Sequence, residues 1–104
     1  MRRQFAARNE EYTLIVTKFG GSSMADAGQY RKIRDIVLSN PDRKVVVVSA
    51  AGQRFKNDHK LTDLLYLCHA HTQSGVDCTA IFDMIRSRYI EIGDELNIDL
   101  DLES

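Results

Sequence analysis

The chain has 104 residues, 43% of them hydrophobic and 28% charged, with a net charge of −1. These values describe one ordinary globular domain at most and exclude a strongly basic nucleic-acid binder. No apolar run approaches the roughly 20 residues that a membrane-spanning helix needs.

Residues 1–11 are expected to form a mobile N-terminal extension. Met1-Arg2-Arg3 lacks the apolar stretch of a secretory signal, and Asn9-Glu10-Glu11 brings acids too early for a long basic presequence. Residues 13–19 then read as a buried strand, rich in β-branched side chains and ending at Lys18-Phe19. Gly20-Gly21-Ser22-Ser23 follows, and a helical pattern comes directly after it.

That layout makes a phosphate cradle. Adjacent glycines allow close backbone approach and positive φ, so successive N–H groups can point at an anion. A helix behind them adds its positive N-terminal end, and Lys18 supplies a point charge. Gly-Gly alone is a common turn element; the lysine and the two hydroxyls shift the reading toward phosphate. No Walker A or Gly-x-Gly-x-x-Gly pattern is present.

Asp26 is placed to cap a helix in which Ala27, Tyr30, Ile33, Ile36 and Val37 recur at helical spacing. Asn40-Pro41-Asp42 ends it. Val45–Val48 is apolar without alternation, the pattern of a parallel strand covered on both faces. Strand, helix and strand make a βαβ unit, and its two strands should carry the Gly20-Gly21 loop and the Ser49-Ala50-Ala51-Gly52 loop to one sheet edge, where α/β proteins bind ligands.

Gln53–Lys60 reads as a mobile polar insert, its Arg54, Lys56 and Lys60 either solvated or guiding an anionic ligand. Leu61, Leu64, Leu65 and Cys68 mark a second helix broken at Ser74-Gly75, with Cys68 packed as a small hydrophobe. Asp77 is expected to cap a third helix that Gly93 closes, with Ile81, Phe82, Ile85, Tyr89 and Ile92 on one face. Arg86 and Arg88 need no special account there. Leu96, Ile98, Leu100 and Leu102 alternate as a short edge strand or a connector, and residues 91–104 carry six acids and no base. His69 and His71 sit two apart on a helix, about 200° around it, and do not share a metal ion easily. Two cysteines do not form a disulfide framework, so a reducing cytoplasm is the expected setting. Two strands and three helices are also a poor complete α/β domain, so the sequence reads as truncated.

Lys18-Phe19-Gly20-Gly21-Ser22-Ser23 resembles the opening signature of the aspartate kinases, members of the amino acid kinase family. Val45–Val48 with Ser49-Ala50-Ala51-Gly52 is similar to their second strand and its Ser-Ala-x-Gly turn. Leu61-Thr62-Asp63-Leu64-Leu65 looks like the threonine-bearing start of the next helix, and the Gln53–Lys60 spacer resembles the longer version of one subgroup. The resemblance runs from about Tyr12 to Leu102.

It implies an α/β fold, part of a three-layer α/β/α sandwich of the amino acid kinase type, in which residues 12–104 form the N-terminal part of a catalytic domain. It implies transfer of the γ-phosphoryl group of ATP, with Mg²⁺ held mainly through ATP, to the β-carboxylate of L-aspartate, on the route to lysine, threonine and methionine. Lys18 would be catalytic; Lys18, Gly20, Gly21 and Ser22 would hold ATP. Ser49, Ala50 and Thr62 would face the substrate, and no protein metal site is implied. The glutamate that grips the substrate amine, and the adenine-binding half, would come from a missing C-terminal part, leaving these residues inactive alone and prone to self-association. The alternatives are another amino acid kinase, of the glutamate or acetylglutamate type, or a noncatalytic α/β module that binds an anion or a partner.

Overall fold

The computed structural model describes residues 2–8 and 13–102, the first range through its backbone alone. The chain divides into two compact units, Met1–Arg54 and Phe55–Ser104.

The first unit is built on a three-stranded sheet of β1 (Arg2–Arg8), β2 (Thr13–Phe19) and β3 (Arg43–Val47), in the order β1-β2-β3. β2 is central because its β-branched residues suit a pleated surface with neighbours on both sides. β3 runs parallel to it, with Val16 beside Val45, Thr17 beside Val46 and Lys18 beside Val47, after an irregularity between Ile15 and Val16. β1 runs antiparallel along the other edge, from Arg2 opposite Phe19 to Arg8 opposite Thr13. The expected N-terminal extension is therefore corrected for residues 2–8. Their backbone takes the edge of β2 that β3 leaves open, and pairing rather than local propensity makes the strand. Residues 1 and 9–11 of that expectation lie outside the described residues.

Between β2 and β3 the chain forms helix α1 (Ala27–Leu38), completing the βαβ unit. Asp26 caps it as expected, its Oδ1 accepting the Gln29 N–H at 2.9 Å. At the far end Ser39 Oγ and Arg43 Nη1 both donate to the Ile36 carbonyl, at 2.7 and 2.6 Å. The Asn40 carboxamide oxygen accepts the Asp42 N–H at 2.9 Å, turning the chain into β3. Thr17, Phe19, Met24, Ala25, Ala27 and Ala51 are buried. Val45–Val48 departs from expectation: these valines are between 39% and 57% exposed. β3 is a sheet edge among the described residues, so the two-sided cover that its composition anticipates is not supplied by them.

The second unit pairs α2 (Leu61–Gln73) with α3 (Thr79–Glu95). Leu61, Leu64 and Ile92 are its buried apolar residues. Both helices end in a Schellman motif. In α2 the left-handed residue is Gly75 (φ 71°), with Val76 N–H donating to the His71 carbonyl at 2.8 Å and Gly75 N–H to Thr72 at 3.2 Å. In α3 it is Asn97 (φ 57°), with Ile98 N–H on the Gly93 carbonyl at 2.8 Å and Asn97 N–H on Asp94 at 3.1 Å. Gly93 thus lies inside α3 and does not close it. Its missing side chain serves another need, because a Cβ there would stand 2.8 Å from Leu100 Cδ1. Leu96 to Leu102 form no strand in this structure; the chain folds back so that Leu100 covers Gly93.

Three further expectations change in this unit. The α3 N-cap is Cys78, and Asp77 acts one residue earlier, its Oδ1 accepting the Thr79 N–H at 2.9 Å and the Thr79 hydroxyl at 2.6 Å. Those two donors hold the Asp77 carboxyl below its usual range. The insert is tied down: Asp58 is buried and ion-paired with Arg88 of α3 at 3.6 Å, and Arg88 is buried as well. Cys68 is only half-buried, and desolvation followed by the neighbouring Cys78 thiol pushes its thiol up.

Candidate functional site

β2 and β3 are parallel neighbours, so the segments that leave them emerge at one edge of the sheet. After β2 the chain does not enter α1 directly. Gly20 is extended (φ −80°, ψ 176°), and Gly21–Met24 form a single 3₁₀ turn before Asp26 opens the helix. The Asp26 carboxylate lies at the α1 N-terminus, its Oδ1 accepting the Gln29 N–H.

Positive φ is not what the two glycines provide, since among the described glycines only Gly75 adopts it. What Gly21 contributes is close approach. A Cβ on Gly21 would lie 3.3 Å from the Ala50 carbonyl and 3.4 Å from Gly52 Cα. The loop after β3 therefore packs backbone against backbone on the turn after β2. Gly52 N–H donates to the Gly21 carbonyl at 2.8 Å, and a Cβ on Gly52 would fall 2.6 Å from Gly21 C and 2.9 Å from Ser22 N. The meeting of the two loops expected from strand order is observed.

Two of the contacts that make this junction were not foreseen. Met24, buried at the end of the 3₁₀ turn, presents its thioether to the Ser49 N–H at 3.3 Å. A thioether is a weak acceptor, and nothing in the sequence distinguishes this methionine from a core filler. Gly52 was visible as part of a turn, but its close contact with Gly21 spans 31 positions and leaves no local signal.

Lys18 is exposed on β2, between buried Thr17 and buried Phe19, so strand alternation sets its side chain on the opposite face from theirs. Ser22 and Ser49 are exposed, and Gly20, Gly21 and Ala50 are partly so. Thus Lys18, Gly20, Gly21, Ser22, Ser49 and Ala50 are all carried at or beyond the ends of two adjacent strands. Thr62 belongs to the second unit, at the second position of α2, where it is exposed and shares an open hollow of about 350 Å³ with Leu65, Tyr66 and His69. His71 Nδ1 pairs with the Leu67 carbonyl at 2.9 Å.

Such an edge suits a phosphate chain. It offers backbone at close quarters, with exposed Lys18 on β2, two residues before Gly20. Among the described residues no group of three or more His, Cys, Asp or Glu could hold a metal ion. The nearest acid in sequence, Asp26, is engaged as a cap. No helix among the described residues is long and apolar enough to cross a membrane.

The profile of the amino acid kinase family matches residues 13–91. Over 83 residues the chain is 41% identical to Aspartokinase 3 of Bacillus subtilis, covering 80% of this chain and 18% of that protein. It is 32% identical over 92 residues to the chloroplastic Aspartokinase 1 of Arabidopsis thaliana, covering 88% and 16%. Among solved structures it superposes on an aspartate kinase of Clostridium acetobutylicum with a TM-score of 0.78 and 50% identity, over 81% of this chain and 19% of that one. The chain spans less than a fifth of the length of these relatives.

Proposed function

The chain belongs to the amino acid kinase family, and from that membership we propose that it is the N-terminal portion of an aspartate kinase. The whole enzyme would transfer the γ-phosphoryl group of ATP to the β-carboxylate of L-aspartate. The observation that carries this reading is the junction of Gly21 and Gly52, which brings the turns after β2 and β3 into backbone contact beside Lys18.

The chemistry asks little of an acid or base. An aspartate carboxylate, with a reference pKa of about 3.9, is already ionised at neutral pH. What must be supplied is compensation for negative charge on the transferring group while two anions are held together. Lys18 would place its ammonium on that group. Backbone N–H groups of Gly20, Gly21 and Ser22, with the Ser22 hydroxyl, would hold the phosphates. Ser49 and Ala50, fixed by the Gly52 and Met24 contacts, would face the acceptor carboxylate, and Thr62 would help retain aspartate. Mg²⁺, bound through ATP, would lower the charge of the phosphate chain. Free Cys68 and Cys78 suit a reducing, cytoplasmic setting. The reaction would serve the synthesis of lysine and its relatives. These residues would be inactive alone, the adenine pocket and the group that grips the substrate amine belonging to the rest of the enzyme.

A chimera tests this directly. The matching segment of the Bacillus subtilis enzyme is replaced by residues 13–91, and ATP-dependent acyl phosphate is trapped with hydroxylamine. Hydroxamate formed with aspartate and not with glutamate is expected. A folded chimera that prefers glutamate, or turns over neither acid, would overturn the assignment.

A further inference from the structure

We infer that Gly52 is a positioning residue for the phosphate-binding turn, holding the Ser22 amide in place from the loop after β3. The inference rests on the reading of Gly20–Ser22 as a phosphate site and adds a residue that does not itself touch the ligand. Three observations carry it. Gly52 N–H donates to the Gly21 carbonyl at 2.8 Å, which fixes the orientation of the peptide whose nitrogen is Ser22 N. A Cβ on Gly52 would sit 2.6 Å from Gly21 C, 2.7 Å from Gly21 O and 2.9 Å from Ser22 N, all backbone atoms of that same peptide. Ala51, immediately before Gly52, is buried, so the loop cannot swing away freely to relieve the clash.

The geometry also sets an order of effects that a simple turn would not produce. Gly21 lies in the turn that would meet phosphate, yet a Cβ there meets its nearest atom, the Ala50 carbonyl, at 3.3 Å, a displacement of a few tenths of an ångström. The methyl of Gly52→Ala must move the Gly21–Ser22 peptide much further. Gly52→Ala therefore harms phosphate binding more than Gly21→Ala, although Gly52 is the residue more remote from the ligand. Weakening one N–H contact to a charged phosphate is enough to cost about tenfold or more in affinity for Gly52→Ala, against about threefold or less for the smaller displacement in Gly21→Ala.

The test is a titration with Mg²⁺–ATP of the ¹⁵N-labelled chimera that carries residues 13–91 within the Bacillus subtilis enzyme, following amide resonances of Gly20, Gly21 and Ser22 in the parent chimera (wild type) and in both variants. Resonances of α1 report that each variant keeps its fold. Wild-type binding at this turn, weakened in the stated order, supports the inference. Wild-type binding with Gly52→Ala unchanged, or weakened less than Gly21→Ala, overturns it and leaves the phosphate reading intact. Absence of wild-type shifts at Gly20–Ser22 overturns the phosphate reading itself, and the positioning role with it. Should Gly52→Ala not fold, hydrogen exchange of the wild-type Gly52 amide decides. Protection that deepens on adding Mg²⁺–ATP supports the coupling, and exchange indifferent to ATP refutes it.

Discussion

Asp58→Ala should damage the second unit more than any other single change in the Gln53–Lys60 insert. Both partners of the Asp58–Arg88 pair are almost fully buried, with side chains 3% and 6% exposed and charged atoms 3.6 Å apart. At that distance, with an effective dielectric constant of about 20, the Coulomb attraction is about 4.6 kcal/mol. Desolvation of the two ions offsets much of this in the intact protein, so the pair need not add to net stability. Removing Asp58 is different, since Arg88 stays buried and loses the carboxylate 3.6 Å away, and breaking a buried pair in this way costs about 3–5 kcal/mol. A domain of this size is stabilised by only about 5–15 kcal/mol, so the loss is a large fraction of the total. Urea unfolding followed by helical circular dichroism, with a double-mutant cycle through Arg88→Met and Asp58→Leu, measures it. The single Asp58→Ala variant should lower the midpoint by about 2 M at a slope of about 1–2 kcal/mol/M, and the apolar double variant should recover most of that. The coupling should persist in 0.5 M salt, because buried charges are poorly screened. A midpoint shift worth less than about 1 kcal/mol with negligible coupling would refute the buried-pair account.

Thr17 is fully buried and its hydroxyl makes no hydrogen bond among the described residues, so Thr17→Val should stabilise the chain by about 1 kcal/mol, read as a higher urea midpoint at unchanged slope. A lower midpoint would reveal a hydrogen-bond partner. The Asp77 carboxyl is lowered by the Thr79 hydroxyl and N–H, so its contribution to the start of α3 is present above the unfolded value of about 3.9 and is lost as pH falls through the lower folded value. A ¹³C titration of the carboxyl should give a midpoint below that reference, and a midpoint at or above it would contradict the two bonds. The half-exposed Val45–Val48 run on a sheet edge should drive self-association, seen as a concentration-dependent mass in sedimentation; a monomer at all concentrations would argue that the edge is protected.

Periodicity and turn chemistry made much of the fold legible. α1 and its Asp26 cap, the Asn40–Asp42 turn, α2 with its Gly75 stop, and the β2-α1-β3 order all follow from local signals that the structure repeats. What stayed hidden depends on partners distant in sequence. Residues 2–8 become a strand because β2 offers an edge, and the Asp58–Arg88 pair joins positions 30 apart. Gly93 looked like a helix stop, since a glycine near a helix end is ambiguous between a cap and a close contact; Leu100 decides for contact and Asn97 takes the cap. At the candidate site Lys18 and the paired glycines were readable by type, whereas the reason for glycine at position 52 needed the approach of the second loop.

The most direct test of the account is Lys18→Ala in the chimera that carries residues 13–91 within the Bacillus subtilis enzyme, measured by hydroxamate formation against aspartate and ATP. If Lys18 neutralises the transferring phosphoryl group, kcat should fall by about 10²–10³, with a much smaller change in KM for aspartate. Turnover within a few fold of the parent chimera would contradict the phosphate cradle and the role assigned to Lys18.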